Sequence, residues 1–62
     1  MIEVLLTTGV WVCVYEDENL TTEELSEEAN DSDLKVGTLH IAELPDQTKV
    51  DCSKIAAIRF NA

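Results

Sequence analysis

Positive charge is scarce in this chain. Four Lys or Arg residues stand against thirteen Asp or Glu, for a net charge of −9 at pH 7. A nucleic-acid-binding protein leaves a basic footprint, because it must replace the counterions of the phosphate backbone; none is visible here, and the same field disfavours an anionic membrane surface. Apolar runs are short as well, and none approaches the ~18 residues that a membrane-crossing helix requires. The opening MIEVLL has no basic stretch, and no small-residue cleavage pattern follows an apolar core, so no signal peptide is expected and the cytoplasm is the expected compartment. Both cysteines, Cys13 and Cys52, are then expected as free, small core residues in strands, with a cross-strand disulfide as the alternative.

The side chains that carry chemistry are just as sparse. His40 is the only histidine and sits between Leu39 and Ile41 on an expected strand. A zinc centre wants four ligands at close spacings, whereas Cys13, His40 and Cys52 are dispersed and no Cys-x-x-Cys occurs. Asp31-Ser32-Asp33 begins like a calcium loop but continues Leu34-Lys35-Val36, without the turn glycine or the closing Glu. No glycine-rich phosphate loop or nucleophile elbow is present. Paired carboxylates can do acid–base work only where a pocket holds their pKa values apart, and 62 residues leave little material for one. No catalytic residue, metal or cofactor is expected, and the chain is not expected to be an enzyme.

What is present is one small domain spanning residues 1–62, near the size at which a core becomes marginal. The apolar fraction of 45% and a mean hydropathy of −0.03 favour a folded core over disorder. Ile2–Leu6 and Val10–Tyr15 read as strands joined by a loop in which Gly9 can take positive φ. The second strand is apolar on both faces, with Val10, Val12 and Val14 on one and Trp11, Cys13 and Tyr15 on the other. Such a strand is covered twice by its own sheet, or one face meets a partner. Trp11 and Tyr15, four apart, are the candidates for an aromatic contact patch.

Residues 16–33, EDENLTTEELSEEANDSD, hold nine of the thirteen acids and no base. Thr21 followed three residues on by Glu24 is the capping-box pattern, and Leu25 with Ala29 gives a thin apolar stripe, which predicts a helix from about Thr22 to Ala29 closed by the Asp31-Ser32-Asp33 cluster. Leu34–Leu44 resumes strand character with a change of phase at Gly37, Pro45-Asp46 marks a turn, and Lys49–Phe60 reads as a strand, a tight corner at Ser53-Lys54 and another strand.

The expected fold is α+β and mostly β, in the order β-β-α-β-β with room for a fifth short strand. Its form is a small, strongly bent antiparallel sheet or an SH3/Sm-like barrel with one short acidic helix; a β-grasp, with the helix across a mixed sheet, is the alternative. The closing KVDCSKIAAIRF resembles the last corner of small SH3-like barrels. That covers about a fifth of the chain and implies nothing about function.

Charge placement points to a non-catalytic protein that binds a basic surface of a partner through Glu16, Asp17, Glu18, Glu23, Glu24, Glu27, Glu28, Asp31 and Asp33. In its sharpest form these carboxylates imitate nucleic-acid phosphates in the channel of a nucleic-acid-binding enzyme, as an inhibitor of the kind phages direct at host proteins. The alternative is a small assembly module that forms a homo-oligomer or binds through Trp11 and Tyr15, its acidic face serving only solubility.

Overall fold

The hydrophobic pattern at the two ends of the chain is brought together by β1 (Ile2–Leu6), which lies between β2 (Trp11–Tyr15) and the last strand, β5 (Ile55–Phe60), in an antiparallel three-stranded sheet. The computed structural model describes all 62 residues. Between β2 and β3 (Ile41–Glu43) runs α1 (Thr22–Asp31), and β3 pairs with β4 (Lys49–Asp51) in a second, two-stranded antiparallel sheet. A 3₁₀ turn at Cys52–Lys54 makes the corner into β5. The fold is therefore α+β, mostly strand, in the order β-β-α-β-β-β.

Both hairpins use one loop design. Leu6 N–H donates to the Val10 carbonyl and Gly9 N–H to the Leu6 carbonyl, at 2.9 and 2.8 Å; Leu44 N–H and Gln47 N–H make the same pair of bonds to Thr48 and Leu44, at 2.9 and 2.8 Å. The third loop residue must turn left-handed in each, with φ of 91° at Gly9 and 71° at Gln47. Glycine meets that demand without steric cost, and the β3–β4 loop meets it with a glutamine.

The helix begins as its sequence predicts. Glu24 N–H donates to Thr21 Oγ1 at 3.2 Å and Thr21 N–H to Glu24 Oε1 at 3.0 Å, completing the capping box. Its other end runs two residues beyond Ala29 and closes in a Schellman motif. Leu34 N–H bonds the Ala29 carbonyl at 2.9 Å, Asp33 N–H bonds Asn30 at 3.1 Å, and Asp33 takes the left-handed conformation at φ 57°. This ending explains why Leu34–Leu44 is not the long strand expected: Leu34 is consumed as the buried hydrophobic contact of the helix terminus, and only Ile41–Glu43 is extended enough to pair.

No closed barrel forms. β2 pairs only with β1 and β4 only with β3, and the helix with its capping segments occupies the chain that would have carried β2 onward into a neighbouring strand. The β-grasp alternative also fails, since every strand pairing is antiparallel and no mixed sheet exists. What unites the two sheets is one core: Ile2 and Val4 from β1, Leu25 and Ala29 from α1, Ala42, Leu44 and Val50 from the second hairpin, and Cys52 and Ile55 around the corner.

Leu25 is fully buried and is the main anchor of the helix. Leu25→Ala is expected to cost about 2–5 kcal/mol, a large share of the roughly 3–9 kcal/mol that a domain of this length commands, and a urea titration followed by far-UV circular dichroism will show the lowered midpoint. Gly9→Ala meets no atom within 4 Å of the added Cβ, so its cost is backbone strain alone, about 1–2 kcal/mol in the same titration.

Candidate functional site

The helix N-terminus accounts for the placement of Glu23 and Glu24, which sit in the first turn where the macrodipole favours negative charge. It does not account for the rest. Glu23, Glu27 and Asp31 follow one another at four-residue intervals, as do Glu24 and Glu28, so like charges face each other along the helix surface. Each such pair destabilises a helix by about 0.2–0.5 kcal/mol. Asp31 and Asp33 crowd the C-terminal end, where the dipole favours cations, and the last turn holds no base.

Of the nine clustered acids, Glu16, Glu18, Glu23, Glu24, Glu27, Asp31 and Asp33 are exposed and Asp17 and Glu28 are half-exposed. None takes part in an ion pair: the two salt bridges of the molecule are Lys49–Glu43 and Arg59–Glu3. Two of the nine carboxylates serve the fold as well, that of Glu24 in the capping box and that of Asp17, whose Oδ1 accepts from Asn19 N–H at 3.0 Å. The surface also gathers one acid from outside the segment. Burial pushes the Tyr15 phenol up from its ordinary value of 10.0, and the charges of Asp17, Glu28 and Asp46 raise it further. A loop, the helix and the β3–β4 turn thus place their charges around one side chain, a convergence that no linear pattern announces.

Trp11 and Tyr15 do not form one patch. Pairing of β2 with β1 runs Leu5↔Trp11, Val4↔Val12 and Glu3↔Cys13, then shifts so that Ile2 faces Tyr15. The irregularity carries Tyr15 across to the core side, where it packs with Val14 against the buried cluster. Trp11 stays on the opposite face, 37% exposed, with the Arg59 guanidinium 3.9 Å from its ring centroid. Arg59 Nε donates to Glu3 Oε1 at 2.9 Å, and Asn61 Nδ2 also donates to that oxygen. Arg59 from β5, held by Glu3 from β1, therefore lies over one face of the tryptophan ring. The only sequence signal for it was one acid and one base, each on an otherwise apolar strand.

β2 is an open edge. Val10, Trp11 and Val12 are exposed large hydrophobics, and Cys13, expected in the core, is exposed and free; Cys52 is free and fully buried. Beside this edge runs a groove of about 310 Å³ between β2 and β4, floored by Val4, Leu6 and Val50 and flanked by Lys49, Asp51 and Lys54. Val12, Cys13 and Val14 line it in succession, as do Thr48 through Asp51. Since neighbouring side chains on a strand point to opposite faces, the strand edges themselves border the groove. His40 has a structural occupation: its Nε2–H donates to the Asp33 carbonyl at 2.8 Å. Asp51 is held below its ordinary 3.8 by hydrogen bonds from the Ser53 hydroxyl and amide. Comparisons with family models, with curated proteins and with solved structures find no match to this chain.

The bond from Arg59 holds the Glu3 carboxyl below its ordinary 4.5, against a smaller upward effect of burial. Folding therefore favours the charged carboxylate, and the stabilisation is present above pH 4.5 and is lost as pH falls through the lower folded value. The wild type is expected to exceed Glu3→Gln in thermal stability at neutral pH, with the gap closing as pH drops below 4.5; a gap that stays constant into acid would show that Glu3 acts by some means other than its charge.

Proposed function

We propose that this protein is a non-catalytic binding protein whose acidic segment engages a basic surface on a partner protein, of the kind that otherwise holds DNA or RNA. The observation that carries this reading is the uncompensated column on α1. Glu23, Glu27 and Asp31 lie without a cationic neighbour on a helix whose stability they lower. A helix under no demand but its own stability gains from interspersed lysines, which add favourable pairs at four-residue spacing where this one has like charges. Successive members of the column rise by about 6 Å along the helix axis, against roughly 3.4 Å per phosphate along one strand of a duplex, so each step corresponds to about two nucleotides. The capping box and the Schellman closure hold the carboxylates in place before any partner arrives, which limits the ordering cost of binding.

On this reading the protein competes with nucleic acid for an Arg- and Lys-lined channel, as an inhibitor of the kind phages direct at host enzymes, and works in the cytoplasm. It gains speed and specificity from charge more than from buried area. The Trp11/Tyr15 alternative has less support, because the two rings lie on opposite faces of the sheet and one is already occupied by Arg59.

The test is capture of partners on the immobilised protein at low and high salt, beside a variant with Glu23, Glu24, Glu27 and Glu28 all changed to Gln. Gln at position 24 can keep the capping box, so the helix survives the substitution. Basic nucleic-acid-binding proteins are expected on the wild type at low salt, released at high salt and absent from the variant. The captured partner should also lose its grip on nucleic acid when the free protein is added. Retention that ignores both salt and the four substitutions would sink the proposal.

A further inference from the structure

We infer that β2 is an interface strand whose occupant is a second copy of this chain, paired edge to edge and antiparallel about a two-fold axis. Exposed sheet edges are normally blunted by lysine, proline, an inward charge or a bulge. The β2 edge, Trp-Val-Cys-Val-Tyr, has no lysine, proline or charge, and its one irregularity is the shift between Cys13 and Tyr15, which leaves residues 11–13 regular. Its backbone–backbone bonds are confined to its pairing with β1, no turn, loop or cap bond reaches residues 11–15, and the one side-chain bond to its backbone is from the Cys13 thiol to the Tyr15 carbonyl at 3.6 Å. Val12, 38% exposed, and Cys13 stand open on that edge above the apolar groove.

Charge selects the occupant. Outside residues 16–33 the acids are Glu3, Glu43, Asp46 and Asp51 and the bases are Lys35, Lys49, Lys54 and Arg59, so the body that carries β2 is neutral. Two copies of a chain at −9 can meet only through such a region, with their acidic segments held apart. An uncharged strand offers nothing particular to a basic partner, but it matches itself. Antiparallel pairing centred on Cys13 sets Val12 opposite the partner's Val14 and Cys13 opposite its own copy, while Trp11 and the partner's Tyr15 stay on opposite faces of the joined sheet. The acids that follow Tyr15 then leave the interface beside the partner's Thr7–Gly9 loop, next to Lys54, whose carbonyl accepts from Thr7 N–H at 3.0 Å. A parallel arrangement would set acid against acid. A strand laid about 4.8 Å from β2 lies over the groove, and its inward valines meet the apolar floor there. The contact is isologous and closes at two chains, giving a continuous six-stranded sheet.

Sedimentation of the full chain up to about 1 mM, where even a weak pair assembles, is expected to show a dimer that does not weaken with added salt. Val12→Lys should return it to a monomer with an unchanged far-UV spectrum. Leu39→Lys, at a 95% exposed position in another apolar patch, should leave it dimeric. Mild oxidation with glutathione disulfide should link two chains through Cys13. Cys13→Ser should abolish the link but keep the dimer. The four-Glu variant used against the acidic reading should dimerise at least as well as the wild type, so failure of one proposal is separable from failure of the other. A wild type that stays monomeric, a dimer untouched by Val12→Lys, or a dimer whose Cys13 thiols do not cross-link would each overturn the inference.

Discussion

Everything in this fold depends on β1 being sandwiched. It is the only strand with hydrogen-bonded neighbours on both sides, and its inward residues Ile2 and Val4 are almost completely buried. That single strand joins the first hairpin to the last segment of the chain, so the long-range closure of a 62-residue domain is concentrated in five residues. The termini are drawn in as well: Asn61 N–H donates to the Met1 carbonyl at 2.9 Å, and the Met1 ammonium reaches the Asn61 carbonyl. A strand so fully used leaves its neighbour β2 as the place where pairing capacity is left over.

The second constraint is the thinness of the helix anchor. Only Leu25 and Ala29 of α1 are buried, with Leu34 just past its end. Two apolar positions in ten residues hold the helix against the core while nearly all the remaining positions face water. Stability and display are thus in tension along one element. The local capping bonds at both ends supply what the narrow apolar stripe cannot, which is why so acidic a segment can remain helical.

Much of the fold was legible in the sequence because it was encoded locally. The first hairpin, the capping box, the corner at Cys52–Lys54 and the acidic segment each rest on residues a few positions apart, and short-range stereochemistry decides them. The misreadings came from longer range. Leu34 and Val36 alternate as a strand would, but Leu34 is claimed by the helix terminus. Trp11 and Tyr15 share a phase until a pairing irregularity with β1, invisible in β2 itself, separates them. Barrel closure depended on whether β2 finds a second neighbour, which no pattern within β2 can state. The groove and the Arg59–Trp11–Glu3 cluster join residues up to 56 positions apart, and only the folded sheet brings them together.

The Asp33 carbonyl has a consequence for the acidic surface as a whole. Left-handed at the helix terminus, this residue offers its oxygen to the His40 ring at 2.8 Å and to the Cys52 thiol at 3.8 Å. The end of the helix is thereby tied to the approach to β3 and to the buried corner before β5. Apart from the ring of His40, the ties are backbone groups and a thiol, and none is an ion pair. On the proposed reading, posture and adhesion are then separate properties of this segment. Salt would loosen what the carboxylates hold without loosening these ties, so a molecule that works as proposed would release a partner and remain shaped for the next one.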